Sequence, residues 1–222
     1  MLSQFFYSCS NFLVYFLLLC LKIAAKLSIS LLRHSDIIPA DKAFYEAGIN
    51  CREQGWTSMA FVFLNRYLDL VEAIEDPKNL ASALDSSDLQ ETDIPLEVPL
   101  PEEAYTNQEE HESVREWILA VSMDHKLEQS LPCDERGIYV AALSTPKSQG
   151  PTALPCLITG YPILQPAGEI RFQNSNRVAN RRDWNSFEAA CRAARTAECI
   201  DTMDFLKRWC GSAVNADVAV KF

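Results

Sequence analysis

Pro39, Gly55 and Pro77 divide the stretch from Asp36 to Lys78 into two segments of helical spacing joined by a tight turn. Proline suits a first helical turn, where its missing N–H has no partner to lose, and it also stops a helix that reaches it. Glycine suits the end of the first segment because it enters the left-handed conformation without a Cβ clash. In the second segment Met59, Phe63, Arg66, Tyr67 and Leu70 recur at three- and four-residue steps, the period of one helix face. Two helices with so short a link fold back on each other as an αα-hairpin. Ala43, Tyr45, Ala47 and Gly48, set against Ala60 and Leu64, mix small and large residues as in tetratricopeptide-type packing. A single hairpin is not an array; if a solenoid is present, this is its last turn.

The flanking sequence is mostly helical too, with only 7 glycines in 222 residues. Upstream, "KIAAKLSISLLRHSD" places Ile23, Leu27, Ser30 and Leu31 on one expected face. Before it, "FLVYFLLLCL" (residues 12–21) is an unbroken apolar run. It falls short of the roughly 20 residues that span a bilayer, and no Lys or Arg precedes it as in a signal peptide. A buried helix is the expectation, with a membrane anchor as the alternative. Downstream, Pro95, Pro99 and Pro101 stand among acids and forbid a continuous helix, so 86–106 reads as an acidic extended linker. Ile94, Leu96, Val98 and Leu100 alternate along it and would share one inward face. Helix resumes after Asn107, a capping residue, with Val114, Trp117, Ile118 and Val121 as its apolar stripe. "DERGIYVAAL" is ambiguous between short helix and strand. "EIRF" reads as a strand, followed by a helix capped near Asn180 or Asp183 and another ending at Gly211. The expected division is 1–85, a helical-repeat end; 86–106, the linker; and 107–222, a terminal helix with a small α+β domain.

Charge narrows the partners. The net charge of −10 argues against nucleic acid and anionic membrane, which both need excess Lys and Arg. Residues 69–116 hold 15 of the 30 acids against Lys78 and Arg115, whereas 171–208 hold 8 basic residues against 5 acidic. The basic "RVANRRDW" cluster would meet an acidic partner, or the chain's own linker. The 8 cysteines follow no tight repeat and no Asn-x-Ser/Thr sequon occurs, which favours reduced thiols in a cytosolic protein over a disulfide scaffold.

No catalytic constellation emerges. In "ALPCLITGYPI" (153–163), Cys156 has Thr159 where a zinc knuckle would place its next ligand. Cys191 and Cys199 are too far apart for one knuckle, and His34, His111 and His125 lie far from all of them. Cys156 with His125 has nothing beyond coexistence to make it a catalytic pair. No phosphate-binding glycine loop is present. The expectation is no metal, no cofactor and no enzyme.

The segments "AKLSISLLRHSDIIPADKAFYEAG", "MAFVFLNRYLDL", "TDIPLEVPLPEE", "DERGIYVAAL", "LPCLITGYPI" and "DFLKRWCG" occur in the order seen at the carboxy-terminal end of the intraflagellar transport protein 172 family, which the chain resembles from about Ala24 onward. The resemblance implies a scaffold subunit of the intraflagellar transport B complex, needed to build and maintain cilia. Its partners would be other transport subunits, and its location the cilium, ciliary base and cytoplasm. It covers only the family's tail, and the apolar residues up to Ile23 depart from it, as an artefact of the gene model would. The family's tail has been likened to a U-box, a zinc-free relative of RING ligase modules. "CLIT" is similar to the opening of such modules and "PAGEIRF" to their second loop. The fold implied is therefore mainly α, tetratricopeptide-like hairpins followed by a small α+β U-box-like domain. On that likeness Ile158, Tyr161, Pro166 and Trp184 are the candidate contacts for ubiquitin or a ubiquitin-conjugating enzyme, with weak ligase-like activity as the alternative to a non-enzymatic scaffold. Leu157 where the family pattern has proline, and the "NRRDW" approach to the helix, depart from that pattern. The competing expectation is that Ile158 and Tyr161 simply pack beneath the loop.

Overall fold

Helix α1 covers residues 20–31 and runs into a 3-10 turn at Leu32–His34. Its buried positions are Ala25, Ser28, Ile29, Ser30 and Leu32, while Leu27 and Leu31 are exposed. The inward face thus shares Ser30 with the one expected but replaces Leu27 and Leu31 by Ala25, Ser28 and Ile29. Helices α2 (Ala40–Glu53) and α3 (Thr57–Glu75) follow on either side of Gly55, whose φ of 71° makes the turn. These elements belong to a computed structural model that describes residues 20–76, 86–124, 126, 128–148, 150–164 and 168–214. It is mainly helical, with two small antiparallel sheets.

Contacts divide the chain into two units: Leu27–Thr152, and Met1–Lys26 together with Ala153–Phe222. In the first unit α2 buries Ala43, Phe44, Ala47, Gly48 and Cys51 against Met59, Ala60, Phe63, Leu64 and Tyr67 of α3. Gly48 is required by this approach: a Cβ there would lie 2.4 Å from Leu64 Cγ. Helix α4 (Gln108–Ser122) starts with a capping box, in which the Asn107 side chain accepts from the Glu110 amide at 2.9 Å and the Glu110 carboxylate accepts from the Asn107 amide at 3.2 Å. Val114, Ile118 and Val121 of the expected stripe are buried, and Trp117 is half-buried.

The segment expected as an extended linker, 86–106, lies within this unit. Leu89 and Ile94 are buried, each stabilising by about 1.5–3 kcal/mol. The Arg66 guanidinium donates to the Leu96 carbonyl at 3.1 Å, and the Tyr105 amide donates to Asp41 at 2.7 Å. Prolines kept the segment extended without making it independent. The expected alternation breaks at Leu96, which is exposed. "DERGIYVAAL" is neither helix nor strand: it is a run of turns with one bridge, Cys133 to Tyr139, that buries Tyr139, Ala141 and Ala142.

In the second unit β1 (Leu154–Pro155) pairs with β2 (Pro162–Ile163). Strand β3 (Glu169–Phe172) lies between β4 (Ser175–Asn180) and β5 (Ala213–Val214), all antiparallel. Strand β4 was not anticipated; the "RVAN" run reads as a basic cluster because its inward residues, Val178 and Ala179, are adjacent and give no period-two signal. Helices α5 (Arg181–Ala194) and α6 (Ala197–Cys210) follow, capped by Asn180 and Thr196. The core of this unit comprises Cys156, Ile163, Ile170, Phe172, Val178, Ala179, Trp184, Leu206 and Cys210.

Candidate functional site

The loop from Cys156 to Tyr161 is held by a set of backbone and side-chain hydrogen bonds. Gly160, at φ 65°, allows the tight return. Its amide donates to the Cys156 carbonyl at 2.7 Å, and the Cys156 amide donates to the Tyr161 carbonyl at 2.8 Å. The Leu157 amide reaches the Val178 carbonyl of β4 at 2.8 Å. Cys156 is buried, and its sulfur accepts from the Asn180 amide at 3.2 Å. That contact ties the loop to the start of α5.

Thr159 occupies the position where a zinc knuckle would set a ligand, and it is fully buried. Its hydroxyl donates to Asp183 at 3.3 Å and accepts from the Tyr161 amide at 3.4 Å. Asp183, in the first turn of α5, also receives both of its 2.8 Å bonds from the Lys26 ammonium. The side chains of Lys26 and Asp183 are only 15% and 8% exposed, which raises the cost of removing either charge. Lys26 also stands 5.5 Å from the centre of the Tyr161 ring. Thr159, Asp183 and Lys26 therefore hold the loop as a polar network.

The four residues named from sequence separate here. Ile158 and Tyr161 are half-exposed in the loop, and Ile158 also packs against the core. Trp184 is 6% exposed and stacks edge-on to Phe172 at 4.9 Å, so most of its bulk is taken up inside the unit. Pro166 lies outside the described residues, as does His125. Sequence reasoning missed Lys26, because nothing local links it to a residue 157 positions away. Thr159 was noted only for the ligand it is not.

Among the described residues no group of three or more His, Cys, Asp or Glu is placed to hold a metal ion. No described helix is long and apolar enough to cross a membrane, and most of the 12–21 run lies outside the described residues. Burial pushes the Cys51 thiol up to about 12. Burial and the neighbouring Cys199 and Cys20 thiols push Cys191 up to about 11. These shifts run away from the thiolate that nucleophilic chemistry needs.

The fold and loop define a mainly helical chain with a small α+β module whose principal loop is fastened by its own side chains. Comparison with known proteins makes the relation specific. The chain is 52% identical over 189 residues to the intraflagellar transport protein 172 homolog of Mus musculus, covering 85% of this chain and 10% of that protein. It is 43% identical over 195 residues to the homolog of Drosophila melanogaster, covering 86% and 10%. It is 40% identical over 176 residues to intraflagellar transport protein 172 of Chlamydomonas reinhardtii, covering 76% and 10%. Over this stretch the chain is a homologue of intraflagellar transport protein 172, and it spans about a tenth of the length of the curated relatives it matches. No protein-family model matches it.

Proposed function

We propose that this chain is a non-enzymatic scaffold element of intraflagellar transport, binding other transport subunits in the cilium, at its base and in the cytoplasm. The observation that carries this reading is 52% identity across 85% of the chain to a protein named for that process. The tight α2–α3 hairpin is consistent with a tetratricopeptide-like role in such an assembly. Expression of the tagged chain in ciliated cells tests the proposal. Ciliary localisation with co-purification of transport subunits is expected; a diffuse chain that retains no subunit overturns it.

A second reading is favoured by one observation, the fastening of the loop by Thr159, Asp183 and Lys26, which leaves Ile158 and Tyr161 half-exposed. It is a U-box-like module that binds ubiquitin or a ubiquitin-conjugating enzyme through that loop. Titration of either protein into the isotope-labelled chain should shift the Ile158 and Tyr161 resonances, and Ile158→Ala should abolish the shifts. Unchanged spectra would defeat this reading while leaving the scaffold proposal intact.

A further inference from the structure

On the second unit Phe205 and Trp209, one turn apart on α6, are 53% and 45% exposed, with ring centres 5.5 Å apart. The Arg177 guanidinium, from β4, lies 3.6 Å from the centre of the Trp209 ring. Stacking occupies one face of the guanidinium plane and leaves its N–H edge directed outward. Among the described residues that side chain meets no carboxylate. Arg177 also lines a groove of about 840 Å³ along the β3–β4 hairpin, whose other walls include Leu154, Arg171, Asn174 and Asn176 and, among the described residues, no acid.

From this geometry we propose that Arg177, Trp209 and Phe205 form a docking ledge for an acidic peptide segment, in which a carboxylate adjoins an apolar side chain. The carboxylate pairs with the pre-oriented guanidinium edge, which is suited to bidentate contact. The apolar side chain lies on the Trp209 and Phe205 rings. The ledge has a direction. Asp201 stands one turn before Phe205 and repels an acid at that end, whereas Arg177 lies over Trp209 and attracts one at the other. The local excess of 8 basic over 5 acidic residues across 171–208 complements such a partner. The chain's net charge of −10 disfavours a nucleic acid, which would otherwise suit an exposed arginine and tryptophan.

The test is fluorescence anisotropy of a short labelled peptide alternating Glu with Leu and Phe, titrated with the full chain. The same titration is run with a peptide carrying Lys in place of Glu, and with an oligothymidylate of equal length. The acidic peptide should bind best. Arg177→Ala and Trp209→Ala should each weaken it by about tenfold or more. Arg177→Glu should reverse the preference toward the lysine peptide, which shows that the variant is folded and still binding. The proposal is overturned if the oligonucleotide binds better, if the acidic peptide does not bind, or if Arg177→Glu leaves its binding unchanged.

Discussion

Replacing Asp183 by alanine removes the acceptor of both 2.8 Å bonds from Lys26 and of the Thr159 hydroxyl bond. Lys26 is then left as an ammonium at 15% exposure with no acid beside it, and Thr159 as a fully buried hydroxyl. Breaking a buried ion pair at one end costs about 3–5 kcal/mol. A buried hydroxyl whose O–H has lost its acceptor costs about 1–3 kcal/mol, even with the Tyr161 amide still donating to its oxygen. The two overlap because the lysine stem is able to turn its head toward water, so about 3 kcal/mol is the expected loss for the pair and its neighbour together. At about 4–8 °C per kcal/mol for a unit of this size, the midpoint should fall by about 12–24 °C. Trp184 reports the transition, since it sits in the core of the same unit. Its near-ultraviolet circular dichroism is followed against temperature in wild type, Asp183→Ala, Lys26→Met and the double variant. With both charges gone the double variant should recover most of the loss, giving a coupling of about 1–3 kcal/mol. A shift under about 0.5 kcal/mol for Asp183→Ala, or simple additivity in the double variant, refutes the claim that this pair fastens the loop.

Gly48→Ala should destabilise the hairpin unit by about 1–3 kcal/mol, because the new Cβ sits 2.4 Å from Leu64 Cγ and one residue must move; denaturant melts in which Gly48→Ala equals wild type would show the helices able to separate freely. The Cys51 thiol, pushed up to about 12 by burial from its ordinary 9.0, makes stability pH-dependent on the alkaline side. Its neutral form is the one the fold accepts, so this contribution is full below about pH 9 and is lost as the pH rises toward 12. Cys51→Ala should flatten that decline between pH 9 and 12 in urea melts, and an unchanged slope would assign it to other groups.

Most helix limits were legible because their signals are local. Asn107 with Glu110, Asn180 before α5 and Gly211 after α6 each bound a helix by a side chain or backbone requirement that a few residues carry. What failed was long-range. The inward face of α1 depends on what packs against it, and pattern alone favoured Leu27 and Leu31 over Ala25 and Ile29. The prolines of 86–106 excluded a helix correctly, but docking depends on Asp41 and Arg66, distant residues that no local pattern connects to it. Trp184 illustrates the same limit, since an aromatic at the start of a helix reads equally as groove wall or core until Phe172 is placed beside it.

The loop at Cys156–Tyr161 depends on parts of the chain that are far apart. A zinc knuckle draws its turn together through one ion and a few nearby ligands. Here the same work is divided among β4, through the Val178 carbonyl; the start of α5, through Asn180 and Asp183; and α1, through Lys26. Two of the three parts lie within 24 residues of the loop, but Lys26 lies 157 positions from its partner Asp183. Closing so long a separation carries an entropy cost that must be met before the contact stabilises anything. The loop should therefore gain its final order late in folding, after the local β1–β2 and β3–β4 hairpins have formed. A chain shortened to begin at Ala153 would retain both hairpins and the sulfur contact, yet would leave Asp183 without its cation. Such a chain should keep helices α5 and α6 while the Tyr161 amide, which donates to the Thr159 hydroxyl, loses hydrogen-exchange protection, whereas a chelator should leave that amide in the full chain unaffected.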